Sequence, residues 1–577
     1  MNIPSFSNLK KYCKQTSDNH PQYKLAVLGD CATQHLATAL KGYAQYAGFP
    51  MQVFDADYNQ LDAQIMDPQS ELYQFAPDGV LIYLCTEKLL AAYWETPLQS
   101  RELFAQQMYR KISRYWQTLA AHGNISVLQF DFVTVDDGIF GSYAWKTAAS
   151  FPFQLRKLKY LLAEGCQEHK TIFLVDIDSL QMQVGRSRFF EEKMYYVAKM
   201  PISLECLPEA AKRVVDVICA LRGQSKKCVI TDLDNTLWGG VIGDDGLQGV
   251  QIGELGGGPA FTHLQHWLKA LKDRGILLAV CSKNNEETAK EVFEKHPEMV
   301  LRLEDFAAFT ANWEDKASNI RSIQQTLNIG MDSLVFLDDN PFERELVRSL
   351  LPEVTVPELP EDPAEYVSYL TGLNLFETGS FSAQDADRTR QYREEAARTE
   401  LLQSFGSYEA YLSGLEMKAV SAPFDPFHYP RIAQLTQRSN QFNLRTVRYT
   451  EAQIEELAGD PAHITRYYTL RDNMGDHGLI SVVVLDKKDP DTLFISEWLM
   501  SCRVLKRGME EFIVNDLVKI AGEHGYSRLV GEYIKTPKNS MVADLYLRMG
   551  FEAEGDVFVA RPEMFRKLET RIEEEAR

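Results

Sequence analysis

Short apolar runs alternating with stretches of helical period fill most of the chain. The run 24–28 ends in Gly29-Asp30-Cys31-Ala32-Thr33 and leads into a helical pattern through Leu36 and Leu40, a strand-turn-helix opening of an α/β unit. Further strand-like runs lie at 79–85, 125–130 and 170–177, with helical period over 103–121. This alternation predicts a mostly parallel sheet. A helical stretch at 205–223 and the link Arg222-Gly223-Gln224-Ser225 precede a second α/β unit. Its strands are expected in the short apolar run from Lys226 into Asp232 and at 276–281 and 333–337, and its helices at 259–273, 284–295, 316–327 and 341–350. The strand-like run 353–356, then Pro357, Pro360 and Pro363, and charged helical period over 385–404 read as a connector. From near Met417 a third unit follows, with strands at 479–485, 493–499 and 527–533 and helices at 508–524 and 540–549. The predicted boundaries are 1–204, a linker helix 205–225, 226–375, a helical connector 376–416 and 417–577, an α/β multidomain protein.

Each strand of the second unit ends in polar residues, and ligands of an open parallel sheet bind beyond the carboxyl ends of its strands. The first ending is Asp232-x-Asp234, followed by Asn235-Thr236 and Gly239-Gly240. Strand side chains alternate, so the two carboxylates point to one side. Carboxylates this close call for a cation, and a hard divalent ion such as Mg2+ takes oxygen ligands in a partly hydrated site. The other endings are Ser282-Lys283-Asn284, Lys316 after Asn312-Trp313-Glu314-Asp315, and Asp338-Asp339-Asn340.

Length and charge narrow this further. At 577 residues the chain exceeds a single core, and 45% hydrophobic residues is ordinary for a globular protein. A net charge of -20 argues against a grip on nucleic acid. Nine cysteines without metal-type spacing read as a reduced, cytoplasmic chain. No run approaches the roughly 18 apolar residues of a membrane span, and no targeting signal is expected.

The four ordered endings resemble the motifs of the haloacid dehalogenase (HAD) phosphatase superfamily. The resemblance implies Asp232 as a nucleophile that forms an aspartyl-phosphate and Asp234 as acid and base. It also implies Ser282, Asn284 and Lys316 on the phosphate, and Mg2+ held by Asp232, the Asp234 carbonyl and Asp338. Asp339 is either a further ligand or a support that caps the helix before Pro341. Only 50 positions separate Asp232 from Ser282, so no large cap domain fits. The segment between is expected as a hairpin over 238–246 and a Gly-rich turn at 253–258, leaving an open site that suits a large or tethered phosphorylated substrate.

Two other segments carry resemblances. Gly29-Asp30-Cys31 is similar to the first block of SGNH hydrolases with cysteine for serine. The late Asp-x-x-His of that family is missing after Asp176 and Asp178, which implies an SGNH/flavodoxin-like domain without catalysis. The stretch 501–509 before a long helix is similar to the pyrophosphate loop of GNAT acetyltransferases, keeping Arg503 and Gly508 but with Lys506 for the first glycine. With Tyr546 it implies a GNAT-like fold and an acyl-CoA site. The whole chain resembles FkbH-like proteins of HAD subfamily IIIC, on Trp238-Gly239-Gly240-Val241, Asn312-Trp313, Asp338-Asp339-Asn340-Pro341-x-Glu343-Arg344, Asn440-Gln441-Phe442-Asn443, Gly475-Asp476-His477-Gly478 and Ser501-Cys502-Arg503. That resemblance implies dephosphorylation of 1,3-bisphosphoglycerate and delivery of glyceryl to an acyl carrier protein, with Cys502 as first and Cys228 as second candidate for an enzyme thioester. The alternatives are a plain small-molecule phosphatase, a GNAT-type acyltransferase assisted by the HAD unit, and a docking scaffold without activity.

Overall fold

The computed structural model describes residues 3–14, 23–381, 385, 388–394, 412–473, 475–501, 504–536 and 538–575. The chain forms two compact units, 2–219 and 220–577. In the first, β1 (Tyr23–Gly29), β2 (Met51–Asp55), β3 (Gly79–Tyr83), β4 (Ser126–Phe130) and β5 (Ile172–Val175) make one parallel sheet in the order β2-β1-β3-β4-β5. Strands β3 and β4 are buried at every position. Their near-continuous apolar runs are those of strands covered on both faces. The helices Phe104–Ala120 and Phe151–Glu168 supply Trp116, Leu119, Leu158 and Leu162 to this core. Strand β2 lies at the sheet edge and gives no clear run in the sequence, because Gln52 and Asp55 interrupt Met51, Val53 and Phe54, and only Met51 is buried. The expected linker helix is Leu207–Leu221, and it is no exposed spacer: Ala210, Ala211, Val214, Val215 and Ile218 are all buried.

The second unit holds two sheets. Strands β6 (Cys228–Thr231), β7 (Leu277–Ser282), β8 (Phe306–Ala311) and β9 (Leu334–Leu337) form a parallel sheet ordered β8-β7-β6-β9. Strand β8 reads Phe306-Ala307-Ala308-Phe309-Thr310-Ala311, and alanine, depleted in strands, makes up half of it. The helices Gly258–Asp273 and Glu286–Lys295 cover one face, against Val229, Leu278 and Val280. The helix Lys316–Leu327 covers the other, against Cys228, Ile230 and Cys281. The expected hairpin over 238–246 is instead the short helical segment Ile242–Gly249, kinked at Gly246 with φ 63°. Reciprocal backbone bonds between Gly239 and Gln251, 3.1 and 2.8 Å, clip its two ends together.

The third sheet has eight strands: β10 (Lys418–Ala422), β11 (His463–Asp472), β12 (Gly475–Asp489), β13 (Thr492–Met500), β14 (Arg528–Glu532), β15 (Glu552–Glu554), β16 (Val557–Ala560) and β17 (Glu573–Glu574). It is antiparallel except for the β13-β14 and β10-β17 pairs. Beyond Ile495 the β13-β14 ladder stops, and the chain's own segment enters the gap: Leu444 N donates to Trp498 O, Met500 N to Phe442 O, and Ile534 N to Leu444 O. The helix Met509–Glu523 packs on this sheet. The helix expected over 540–549 is reduced to a turn at Ser540–Val542 and a single helical turn at Leu545–Arg548. Of the connector helix expected over 385–404, residues 395–404 lie outside the described residues.

Glu497 on β13 is fully buried, with Oε2 accepting from Val447 N at 3.0 Å and Oε1 unpartnered. Burial pushes its carboxyl up to about 8, against the lowering influence of that bond and of Arg448 and Arg445. The folded state therefore keeps a proton that the unfolded chain loses near pH 4.5, so this group's contribution to stability falls as pH rises from about 4.5 through 8. Glu497→Gln should flatten the decline of Tm across that window. Thermal unfolding at several pH values checks this, and an unchanged slope would contradict it.

Candidate active site

Strand β6 is buried at all four positions and delivers Asp232 to the carboxyl edge of the sheet. Its neighbours in the ladder are Val280 and Leu337, both paired with Thr231, so the endings of β7 and β9 flank Asp232 on either side. Asp232 N donates to Leu337 O at 2.9 Å, which sets Asp232 beside Asp338. Asn312 N donates to Ser282 O at 3.1 Å and brings the turn after β8 to the same edge. Asp315 caps the next helix by accepting from Ser318 N at 2.8 Å, and Lys316 follows as its first residue.

Lys316 lies between two carboxylates, its Nζ 2.7 Å from Asp232 Oδ2 and 2.5 Å from Asp338 Oδ2. Burial disfavours its charge, and the two aspartates more than offset that, holding the ammonium well above the usual lysine range. Asp338 is fully buried. Its carboxyl is raised by burial and then by the charge of Asp232, against the pull of Lys316. Asp339 is raised for the same two reasons, burial first. The carboxyl groups of Asp232, Asp338 and Asp339 bring oxygens within 4.8 Å of one another. Asp232 Oδ1 is buried with no hydrogen-bond partner. Three converging carboxylates with an orphaned oxygen fit a hard divalent cation, which would supply the missing partner and relieve the repulsion that raises Asp338.

Asp234 sits half a turn further along, with Asn235 behind it in the left-handed region at φ 54°. Its Oδ1 accepts from Trp238 Nε1 at 2.8 Å and Ile242 N at 3.1 Å, and its Oδ2 from Asn284 Nδ2 at 2.9 Å. Burial raises its carboxyl and the charge of Asp232 adds to that, outweighing these donors. A carboxyl group that holds its proton more readily than usual suits an acid and base. Asn284, expected on the phosphate, thus orients Asp234. Ser282 is buried at the end of β7 as expected.

Three supports went unassigned in the sequence. Thr236 exchanges hydrogen bonds with Asp339: its hydroxyl donates to Asp339 Oδ1 at 3.2 Å and accepts from Asp339 N at 2.9 Å. Arg344 donates through one nitrogen to the carbonyls of Asp338 and Asp339, at 2.8 and 2.7 Å, and fixes the loop that carries them. Buried Trp238 holds Asp234. Trp238 and Arg344 stand in the motifs quoted above, but no spacing disclosed what they hold.

The remaining candidates are scattered. Cys228 begins β6, at the far end of the strand from Asp232, and is a fully buried core residue whose thiol burial pushes far up. Cys502 and Arg503 lie outside the described residues. Gly508 caps the Met509–Glu523 helix at φ 85°, where Thr570 donates to its carbonyl at 2.8 Å and Glu510 and Glu511 occupy the first turn, a poor setting for an anion. Tyr546 is in the core rather than facing a ligand: it is 1% exposed, and a Cβ on Gly531 would meet its ring at 2.2 Å. In the first unit Cys31 is 1% exposed and burial raises its thiol strongly. His35 packs on Phe6 with ring centroids 5.4 Å apart. Asp30 Oδ1 accepts from Cys85 N at 2.9 Å, and Asp178 is bonded to Thr134 and Lys159.

Comparison with known proteins agrees with this picture. Residues 24–219 match the model of the FkbH N-terminal domain. The crystal structure of the N-terminal part of BF1531 from Bacteroides fragilis, described as containing a phosphatase domain and complexed with Mg, is 48% identical with a TM-score of 0.64. The match covers 66% of this chain and 100% of that one. Ribosomal-protein-S18-alanine N-acetyltransferase from Escherichia coli is 12% identical with a TM-score of 0.20, over 24% of this chain and 90% of that one. No curated protein matches the chain. With a relative close to half identical over its entire length and the family's domain model matched at 24–219, the chain belongs to the FkbH-like family.

Proposed function

We propose that this protein is a Mg2+-dependent HAD-type phosphohydrolase. The observation that carries the reading is the Asp232-Lys316-Asp338 bridge beside the orphaned Asp232 Oδ1 and Asp339. The Mg2+ seen in the Bacteroides fragilis relative supports the same cofactor here, which Asp232, Asp338 and the Asp234 carbonyl would hold with Asp339 as a further carboxylate. Bound there, it would neutralise phosphoryl charge. An Asp232 oxygen attacks phosphorus, forming a new P–O bond as the ester P–O bond breaks, and Asp234 gives its proton to the leaving oxygen. Asp234, now ionised, takes a proton from water, whose oxygen attacks the aspartyl-phosphate and releases phosphate. Once the carboxylates engage the cation, the Lys316 ammonium is free to pair with a phosphoryl oxygen, with Ser282 donating to another.

Within the FkbH-like class the substrate would be 1,3-bisphosphoglycerate and the product a glyceryl thioester on an acyl carrier protein. The first unit, with its doubly covered parallel sheet and buried Cys31, would serve as a non-catalytic SGNH-like docking domain in a cytoplasmic protein. Free cysteines throughout the described residues support a reducing compartment, and no described helix is long and apolar enough to cross a membrane. The last sheet, mixed and followed by a long helix after β13, supports a GNAT-like fold. An acyl-CoA site there draws less support, because Phe442 to Leu444 fill the gap where β13 and β14 part and acidic residues head the helix.

Incubation with Mg2+, 1,3-bisphosphoglycerate and a candidate carrier protein, followed by phosphate assay and intact-mass analysis, tests the proposal. Phosphate release with a glyceryl adduct on a thiol supports the full reading. Release without an adduct reduces it to a plain phosphatase, and no release from any phosphate ester overturns it.

A further inference from the structure

One ion pair at the strand ends has no part in the chemistry above. Lys283 follows Ser282 at the end of β7, and its Nζ lies 2.6 Å from Glu343 Oε1 in the first turn of the helix Pro341–Leu350, which follows β9. In the order β8-β7-β6-β9 the two partners stand on opposite sides of β6. Neighbouring strands are about 4.8 Å apart, so the pair spans the end of the strand that carries Asp232. Glu343 belongs to the same electrostatic group as the catalytic residues: Lys316, Asp232, Asp338 and Glu343 all act on the buried Cys281 thiol beneath them.

Glu343 is the third residue of its helix, where a glutamate ordinarily turns back to accept the N-cap backbone N–H. Here the N-cap is Asn340, and its N–H goes to Asp338 Oδ1 at 2.9 Å. Glu343 reaches across to Lys283 instead. It is 6% exposed, and its Oε2 is buried with no hydrogen-bond partner. Lys283 keeps 37% of its side chain exposed. Solvent at the Lys283 end screens the pair and limits what it contributes to stability, while an unsatisfied buried carboxylate oxygen at the Glu343 end costs free energy. Stability therefore gives no reason for the arrangement, whereas the strand order puts the ammonium and its carboxylate across the end of β6, the strand that leads into Asp232. At the same edge Lys316 lies between two carboxylates, and Arg344 donates to two carbonyls and Glu358.

We propose that Lys283 is a second cation of the phosphoryl-binding site, contacting a non-bridging phosphoryl oxygen of the bound substrate, and that Glu343 is the positioning residue that holds it over Asp232. This rests on the phosphohydrolase reading for its substrate but makes its own prediction about binding. The test is calorimetric binding of inorganic phosphate in the presence of Mg2+, beside steady-state hydrolysis of para-nitrophenyl phosphate, for the full chain and for Lys283→Gln, Lys283→Arg and Glu343→Gln. Lys283→Gln should weaken phosphate and raise KM by about tenfold while kcat changes by no more than about threefold. Lys283→Arg should recover most of the loss, and Glu343→Gln should fall between. Phosphate affinity and KM in Lys283→Gln equal to those of the parent, with Tm unchanged, would overturn the assignment while leaving the phosphatase intact. Weakened phosphate binding in a protein that hydrolyses no ester would uphold Lys283 and remove the hydrolytic reading. Failure of the parent chain to bind phosphate would overturn the assignment.

Discussion

Asp232→Asn should release no phosphate from any ester, a loss of at least about ten-thousandfold in kcat, the scale of removing a covalent nucleophile. The amide is a poor nucleophile and leaves one fewer anionic oxygen for the cation, so both steps fail together. The same substitution should not unfold the protein. It removes the charge whose proximity helps raise Asp338, Asp339 and Asp234, and Lys316 retains Asp338 as a partner. In EDTA, Tm should therefore equal or exceed that of the parent. Phosphate release and thermal unfolding measured on one preparation check both halves, and turnover near the parent's would exclude Asp232 as nucleophile.

Lys316→Met should be the most destabilising single change at this site. The two side chains are similar in volume, so the loss is electrical. Asp232 and Asp338, whose side chains are 11% and 0% exposed, would face each other without the ammonium between them. Stranding buried carboxylates in this way costs on the order of 3–5 kcal/mol. Excess Mg2+ should return much of it, because a ligand that binds only the folded state stabilises by mass action. Urea unfolding in EDTA and in Mg2+ separates the two contributions. A loss that Mg2+ does not diminish would mean that the carboxylates do not hold the ion. Turnover should stay very low in either condition, since a thioether in place of the ammonium can pair with neither phosphoryl oxygen nor aspartate.

Strands β6, β7 and β9 of the central sheet were legible because each is a short apolar run that stops at a polar residue, so the order of the runs could place Asp232, Ser282 and Asp338 on one edge, while Lys316 rested on the motif resemblance. Strands β2 and β8 escaped because polar residues interrupt the one and alanines make up half of the other. The segment after Trp238 looked like a hairpin because glycines mark turns of every kind, and only the Gly239–Gln251 bonds reveal where its ends meet. Asn284 was assigned to phosphate by position, and the structure adds a bond from its amide to Asp234 that position did not disclose. Motif order locates a site, whereas the partner of an amide or guanidinium depends on loops that cross from one strand end to another. Tyr546 shows the converse: its sequence context suits a ligand-facing phenol, and its burial follows from Gly531 leaving room for the ring.

The exchange of bonds between Thr236 and Asp339 ties the loop that follows Asp232 to the loop bearing Asp338 and Asp339. The reacting groups thus form one stiff block that gives little when substrates differ in size. Accommodation would fall to the stretch pinched at Gly239 and Gln251, which meets the loop of the two aspartates through the bonds from Ile242 N to Asp234 and Gly240 N to Asn235 and buries Ile242 and Val250 in the core. Relatives with longer or shorter versions of that stretch would handle different substrates while the carboxylate geometry stays fixed, making it the natural place to graft a new specificity.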